Sequence, residues 1–140
     1  MPNFMEKLIF GSDAWIAAFK NAINTDQTYK ESARQWEGDF WFVVEPDNDI
    51  SQAQLLIYLD LWHGECRSAC VAYNESEYAP EFRISGTFRN WQRVIEREVD
   101  PIRALMTNSL RVKGNLAKIV RNVRAAQALV LCAAKVPTMF

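Results

Sequence analysis

A chain of 140 residues and 16.1 kDa has length for one domain, read as residues 1–140 with a core at about 12–134. Hydrophobic residues make up 49% and charged residues 24%, which excludes a disordered chain. A net charge of −1 and a pI near 5.9 argue against a nucleic-acid binder, whose domain is strongly basic.

The charge is unevenly placed. All 17 acids and 9 of the 16 bases lie in residues 1–100, so the last 40 residues carry the remaining 7 bases and no acid. Pairing between this basic segment and the acidic body is one reading. Attraction to an anionic partner, such as a membrane surface, is the other. Cys66, Cys70 and Cys132 form an odd set without framework spacing, which points to a reduced, cytoplasmic chain. The apolar run near the N-terminus is too short for a signal peptide or a span.

In chain order, Ser12 or Asp13 can cap a helix that carries Trp15, Ile16, Phe19 and Ile23 on one face. Thr25 or Asp26 can cap a second helix running through Tyr29, Ala33 and Trp36 to Gly38. Residues 38–45 are aromatic and β-branched and read as a strand stopped by Pro46, Asp47, Asn48 and Asp49. Residues 53–62 alternate, with Leu55, Ile57, Leu59 and Leu61 opposite Leu56, Tyr58, Asp60 and Trp62. His63-Gly64-Glu65 is short enough for a hairpin turn, from which a strand returns at 65–73. After a loop from 74 to 80, residues 81–87 form another strand. Consecutive strands joined by turns imply antiparallel pairing.

Helical spacing resumes at Phe88, Trp91, Val94 and Ile95, and Asp100 with Pro101 opens a further short helix. Residues 109–114 alternate as a fifth strand. From Asn115 to about Ala134 the spacing predicts one amphipathic helix, with Leu116, Ile119, Val120, Val123, Val130 and Ala134 inward. Lys118, Arg121 and Arg124 face the other way, and Pro137 ends the ordered chain. The element order is ααββββααβα. It is an α+β domain with a five-stranded, mainly antiparallel sheet covered on one face by helices.

Reactive residues are sparse. Asp60, His63 and Cys66 supply the residue types of a nucleophilic triad, but on one hairpin corner the histidine cannot lie between the other two. Cys66 and Cys70 on a strand stand roughly 13 Å apart at ~3.3 Å per residue, too far to share one zinc. No glycine loop or dinucleotide fingerprint points to a cofactor. The basic helix face lacks the aromatics of a base-stacking surface. Trp41 and Trp62 are candidates for a surface contact between copies, and the oligomeric state is open.

The apolar inventory is more informative. Strand 65–73 offers Cys66, Ser68, Cys70 and Ala72 on one face, and Ala69, Val71 and Tyr73 on the other. Small strand residues under a helix either admit it closely or leave a void, and periodicity alone favours dense packing. An empty cavity of ~300 Å³ would cost on the order of 7 kcal/mol at ~24 cal/mol per Å³. That is comparable to a domain's whole stability of ~5–15 kcal/mol, so such a void must collapse or hold a guest.

Residues 82–126, FRISGTFRNWQRVIEREVDPIRALMTNSLRVKGNLAKIVRNVRAA, carry a strand, a helix with Trp91, the Asp100-Pro101 helix, the 110–114 strand and the start of the last helix. With Trp36-Glu37-Gly38-Asp39-Phe40 upstream, this order resembles the sterol carrier protein type-2 domain family, as a stand-alone prokaryotic-type member. The resemblance implies an apolar tunnel between sheet and helices. It implies carriage of a fatty acid, acyl-CoA, sterol or other lipid without covalent chemistry and without a cofactor. It implies a lining from Phe42, Ile57, Leu59, Ile84, Trp91, Ile95, Leu105, Met106, Ile119 and Val123. The alternatives are a small enzyme on an acyl or polycyclic substrate, and a module docking anionic membrane through the basic helix. Two positions depart from the family pattern. A usual glycine is replaced near Thr107-Asn108-Ser109, and a usual acid is Asn115. Thr138, Met139 and Phe140 do not form the peroxisomal tripeptide.

Overall fold

The structure is a computed structural model that describes residues 6–47 and 53–140. A two-residue strand, β1 (Leu8–Ile9), comes first. Helix α1 (Asp13–Thr25) is capped by Ser12, whose side chain accepts from the Trp15 N–H, and α2 (Gln27–Ser32) is capped by Asp26. The second helix does not run to Gly38. Ala33 leaves helical geometry, and Trp36 enters the core from the following turn, its Nε1 donating to the Gly38 carbonyl at 3.1 Å. The main sheet then begins with β2 (Glu37–Glu45). Asn48 and Asp49, expected to stop β2, lie outside the described residues.

The main sheet continues with β3 (Leu55–Trp62), β4 (Glu65–Ala72), β5 (Phe82–Thr87) and β6 (Arg111–Lys113), in spatial order β4-β3-β2-β5-β6. His63 and Gly64 both have positive φ, which is the mirror-image turn that matches strand twist in a tight hairpin. A Cβ on Gly64 would stand 2.6 Å from the Lys30 carbonyl oxygen, so this turn also needs the missing side chain. Three of the four pairings are antiparallel, but β2 and β5 run parallel. Local sequence does not encode that pairing. It arises because the segment after β4 crosses the sheet's outer face, where Tyr78 stacks on Tyr58 with ring centroids 3.8 Å apart. Trp41, expected at the surface, lies beneath that crossing and is 4% exposed.

The alternation read for β3 holds: Ile57, Leu59 and Leu61 face the helices, while Leu56 and Tyr58 face outward. In β4 it breaks. Leu61 pairs with Cys66 but Asp60 pairs with Ser68, so one residue bulges out. Cys66, Ala69 and Val71 consequently join the inner core, and Cys70 and Ala72 join the outer cluster.

On the inner side follow α3 (Phe88–Ile95) and α4 (Pro101–Met106). The predicted last helix is two helices, α5 (Leu116–Arg121) and α6 (Val123–Ala134). Asn122 breaks it: its Nδ2 donates to the Lys118 carbonyl at 2.8 Å, competing for the helix's own acceptor. The break shifts the rotational phase, so Val120 and Ala134 are exposed while Ala125, Ala128, Cys132 and Ala133 are buried. Order does not end at Pro137. Strand β7 (Thr138–Met139) pairs in parallel with β1, and Phe140 packs 5.3 Å from Phe10.

Both departures from the family pattern are accommodated. Asn108 adopts φ 62°, a left-handed conformation that asparagine tolerates best after glycine. Asn115 caps α5, accepting from the Lys118 N–H as an aspartate would.

Candidate functional site

Helix α6 rests on α1, α2, α3 and α4, spanning a gap above the sheet. Its sequence there, VRAAQALVLCAA, supplies five alanines, too short to fill that gap. Two adjoining apolar cavities result. The larger, about 90 Å³, runs from Tyr29, Trp36 and Leu61 past Phe42 and Ile84 to Leu105 and Leu110, roofed by Ile119, Ala125 and Ala126. The smaller, about 60 Å³, lies among Phe10, Trp15, Phe19, Val44, Ile57 and Ala133. Phe42, Trp91, Val94, Leu129 and Val130 line both and form the partition. The β1–β7 ribbon matters here, because it holds Phe10 across the end of the smaller cavity.

The walls carry no charged side chain. Their tryptophans turn apolar ring faces inward and spend their N–H groups on the protein. Trp91 Nε1 donates to the Val43 carbonyl at 2.9 Å, and Trp15 Nε1 donates to Thr138 Oγ1 at 2.8 Å. At ~24 cal/mol per Å³, an empty 90 Å³ cavity costs about 2 kcal/mol.

The expected lining residues divide. Phe42, Ile84, Trp91, Leu105 and Ile119 line the larger cavity, and Phe42, Ile57, Trp91 and Ile95 the smaller. Leu59 is fully buried but meets neither cavity. Met106 is 64% exposed, on the outward side of the short α4. Val123 is half-buried at the first turn of α6, outside both walls, because the break at Asn122 rotates it away. Tyr29, Trp36, Ala125 and Leu129 were not expected in the walls. For the α6 residues the signal was the cluster of alanines, visible in sequence but readable only once the helix phase is known.

A buried polar network braces one end of α6. Asp26 accepts from Thr28 N–H, Tyr29 N–H, the Cys132 thiol at 3.2 Å and Lys135 Nζ at 3.1 Å. Burial raises its pKa, but the hydrogen bonds from Cys132, Lys135 and the α2 backbone outweigh it and hold the carboxyl below its ordinary value. Burial, with the nearby Asp26 carboxylate, pushes the Cys132 thiol up to about 12. Burial likewise pushes Cys66 up to about 11.

The hairpin residues do not assemble into a catalytic group. His63 Nε2 lies 2.6 Å from Glu37 Oε2, and Asp60 holds Arg67 through both carboxylate oxygens. Cys66 is buried, with its thiol on the Ser68 carbonyl. Among the described residues no three His, Cys, Asp or Glu cluster as a metal site would require. Three of the seven bases in the last 40 residues pair with the acidic body: Arg111 with Glu45, Lys118 with Glu81, and Lys135 with Asp26. Lys118 also lies over the Trp36 ring at 4.9 Å, folded onto the body rather than projecting from it. No helix among the described residues is long and apolar enough to cross a membrane.

A helix-covered five-stranded sheet with apolar cavities under its terminal helix is a scaffold with room for an apolar ligand. The SCP-2 sterol transfer family model matches residues 19–127, and the chain belongs to that family. The crystal structure of a sterol carrier protein 2 is 33% identical with a TM-score of 0.83, covering 91% of this chain and 98% of its own. The solution structure of a conserved hypothetical protein from Thermus thermophilus, described as possibly a sterol carrier protein, is 32% identical with a TM-score of 0.83. It covers 99% of this chain and 94% of its own. Apo sterol carrier protein 2 from Yarrowia lipolytica shares the fold at 18% identity and a TM-score of 0.56, over 94% of this chain and 98% of its own. No functionally curated protein matches the sequence.

Proposed function

We propose that this chain binds and carries a hydrophobic ligand, without covalent chemistry, in the space between the sheet and α6. The observation that carries the reading is the pair of charge-free apolar cavities that share Phe42, Trp91, Val94, Leu129 and Val130 as a common wall. Each buried CH₂ of a guest gains about 0.8 kcal/mol before association costs, so affinity for a long chain needs no specific polar contact. A cavity of about 90 Å³ is smaller than the ~150 Å³ that admits benzene in an engineered core. A lipid must therefore displace the partition of Phe42, Trp91, Val94, Leu129 and Val130 and join the two spaces into one tunnel.

Phe42, Ile57, Ile84, Trp91, Ile95, Leu105 and Ile119 are the contacts this reading assigns to the ligand, with Ala125 and Leu129 added from the α6 roof. The engagement of Asp60, His63 and Cys66 with separate partners supports a carrier over an enzyme. Three free thiols support a cytoplasmic setting. Arg121 and Arg124 are exposed on α5 and α6 and offer the surface for a peripheral, salt-sensitive contact with anionic membrane.

Denaturing freshly purified protein and extracting it into organic solvent should release a long-chain or polycyclic lipid detectable by mass spectrometry. Protein that releases no lipid and also binds none of a panel of fluorescent fatty acids and sterols would overturn the reading.

A further inference from the structure

Both cavities approach the protein surface at one seam. A surface depression of about 340 Å³ lies between α6 and the corner that joins α3 to α4, with Arg97, Val99 and Pro101 on the corner side and Gln127 and Leu131 on the α6 side. Val94 of α3 and Val130 of α6 complete its lining, and the same two valines line the larger and the smaller cavity. Three spaces, one of them open to solvent, therefore meet at one pair of side chains. A neighbouring groove beside β7 shares Ile95 with the smaller cavity and no residue with the larger. A valine in a helix has one strongly preferred rotamer, so Val94 and Val130 do not swing aside to admit a guest. The seam opens when α6 parts from α3 and α4.

Helix α6 is tied down unequally. Near its end the buried Asp26 holds Cys132 and Lys135. Across the seam the tie is a hydrogen bond between exposed residues, Gln127 Nε2 donating to Asp100 Oδ1 at 2.8 Å. Water replaces an exposed hydrogen bond at little net cost, whereas breaking the buried network strands a carboxylate. The seam side is thus the side that yields first.

We infer that ligand enters and leaves through this seam, with Val94 and Val130 as the gate, the Gln127–Asp100 hydrogen bond as its latch, and the Asp26 brace as the pivot of α6. The inference rests on the lipid-binding reading above and adds the route into that site. Gln127 and Asp100 line neither cavity, so the latch is the same with the site full or empty. It sets the barrier to passage and leaves the balance between bound and free unchanged. Asp100 caps α4 through its other oxygen, Oδ2, so replacing Gln127 spares that cap.

The test is stopped-flow mixing of wild type, Gln127→Ala and Gln127→Trp with cis-parinaric acid, a fatty acid that fluoresces in apolar surroundings, followed by its displacement with excess dodecan-1-ol. Gln127→Ala should associate and dissociate faster than wild type, each by about twofold to tenfold, the size of one hydrogen bond, with Kd within about twofold. Gln127→Trp also lacks the latch but places an indole in the depression, so it should associate about fivefold more slowly than Gln127→Ala. Rates in Gln127→Ala that match wild type, a change in its dissociation rate alone, or Gln127→Trp associating as fast as Gln127→Ala would overturn the gate and leave the lipid-binding reading intact. Wild type that binds neither cis-parinaric acid nor dodecan-1-ol would overturn both.

Discussion

The two faces of the central strands are built from alternate residues of the same sequence, and they pack differently. Outward, Trp41, Val43, Leu56 and Tyr58 form a small cluster closed by the stacked Tyr78, and neither cavity touches it. Inward, Phe40, Phe42, Ile57 and Ile84 are equally large but meet a roof in which Ala125, Ala126 and Ala133 alternate with Leu129 and Val130. Flat rings against flat rings fill space, whereas rings under a helix of short side chains leave gaps. Void space in this domain is therefore set by the cover and not by the sheet.

That contrast can be broken from either side. On the outer face, Trp41→Ala should cost about 3–5 kcal/mol in denaturant unfolding, because a large buried ring leaves a hole that nothing fills. Affinity of the folded protein for dodecan-1-ol should stay within about twofold of wild type. On the inner face, Leu129→Ala opens the partition between the cavities. Because the site already has free volume and Leu129 is only half-buried, it should cost about 2 kcal/mol and should tighten binding of bulkier lipids. A loss as large as that of Trp41→Ala would show the inner face to be packed as densely as the outer.

Filling the roof sharpens the same comparison. Ala125→Phe projects into the larger cavity and should lower lipid affinity at least tenfold, with a stability change within about 1–3 kcal/mol in either direction. Isothermal titration alongside thermal unfolding separates the two effects. A smaller change comes from the brace beneath α6. The Asp26 carboxyl sits below its ordinary value of 3.8, so its contribution is present above that pH and is lost as pH falls through and below it. Unfolding free energy measured from pH 6 to pH 3 should therefore fall less steeply in Asp26→Asn than in wild type. The buried thiols act oppositely. Cys66 and Cys132, raised to about 11 and 12, contribute fully below an ordinary thiol pKa near 9, and that stability drains away above it.

Most elements were legible in the sequence, because caps and alternation are local. Ser12, Asp26 and Asp100 announce their helices, and β3 shows its two faces without structural help. What escaped reading depended on contacts remote in sequence. The parallel pairing of β2 with β5 needs the crossing after β4, and the bulge between Cys66 and Ser68 flips the rest of β4 across the sheet. The site was half legible for the same reason. Phe42, Ile84 and Trp91, which the family resemblance implied, stand in the cavity walls, while Val123, implied in the same way, lies beyond the helix break at Asn122 and meets neither cavity. Tyr29 looks from sequence like any buried helix residue. Its place in the cavity wall becomes visible only when α2 is set against α6.

Methyl-resolved NMR during a titration with dodecan-1-ol tests the central claim most directly. Binding between sheet and α6 should shift the methyl signals of Ile84, Leu105, Leu129 and Val130 in proportion to occupancy, and leave Val43 and Leu56 on the outer face unmoved. Saturable binding that shifts Val43 and Leu56 while Ile84 and Leu129 stay in place would contradict the account.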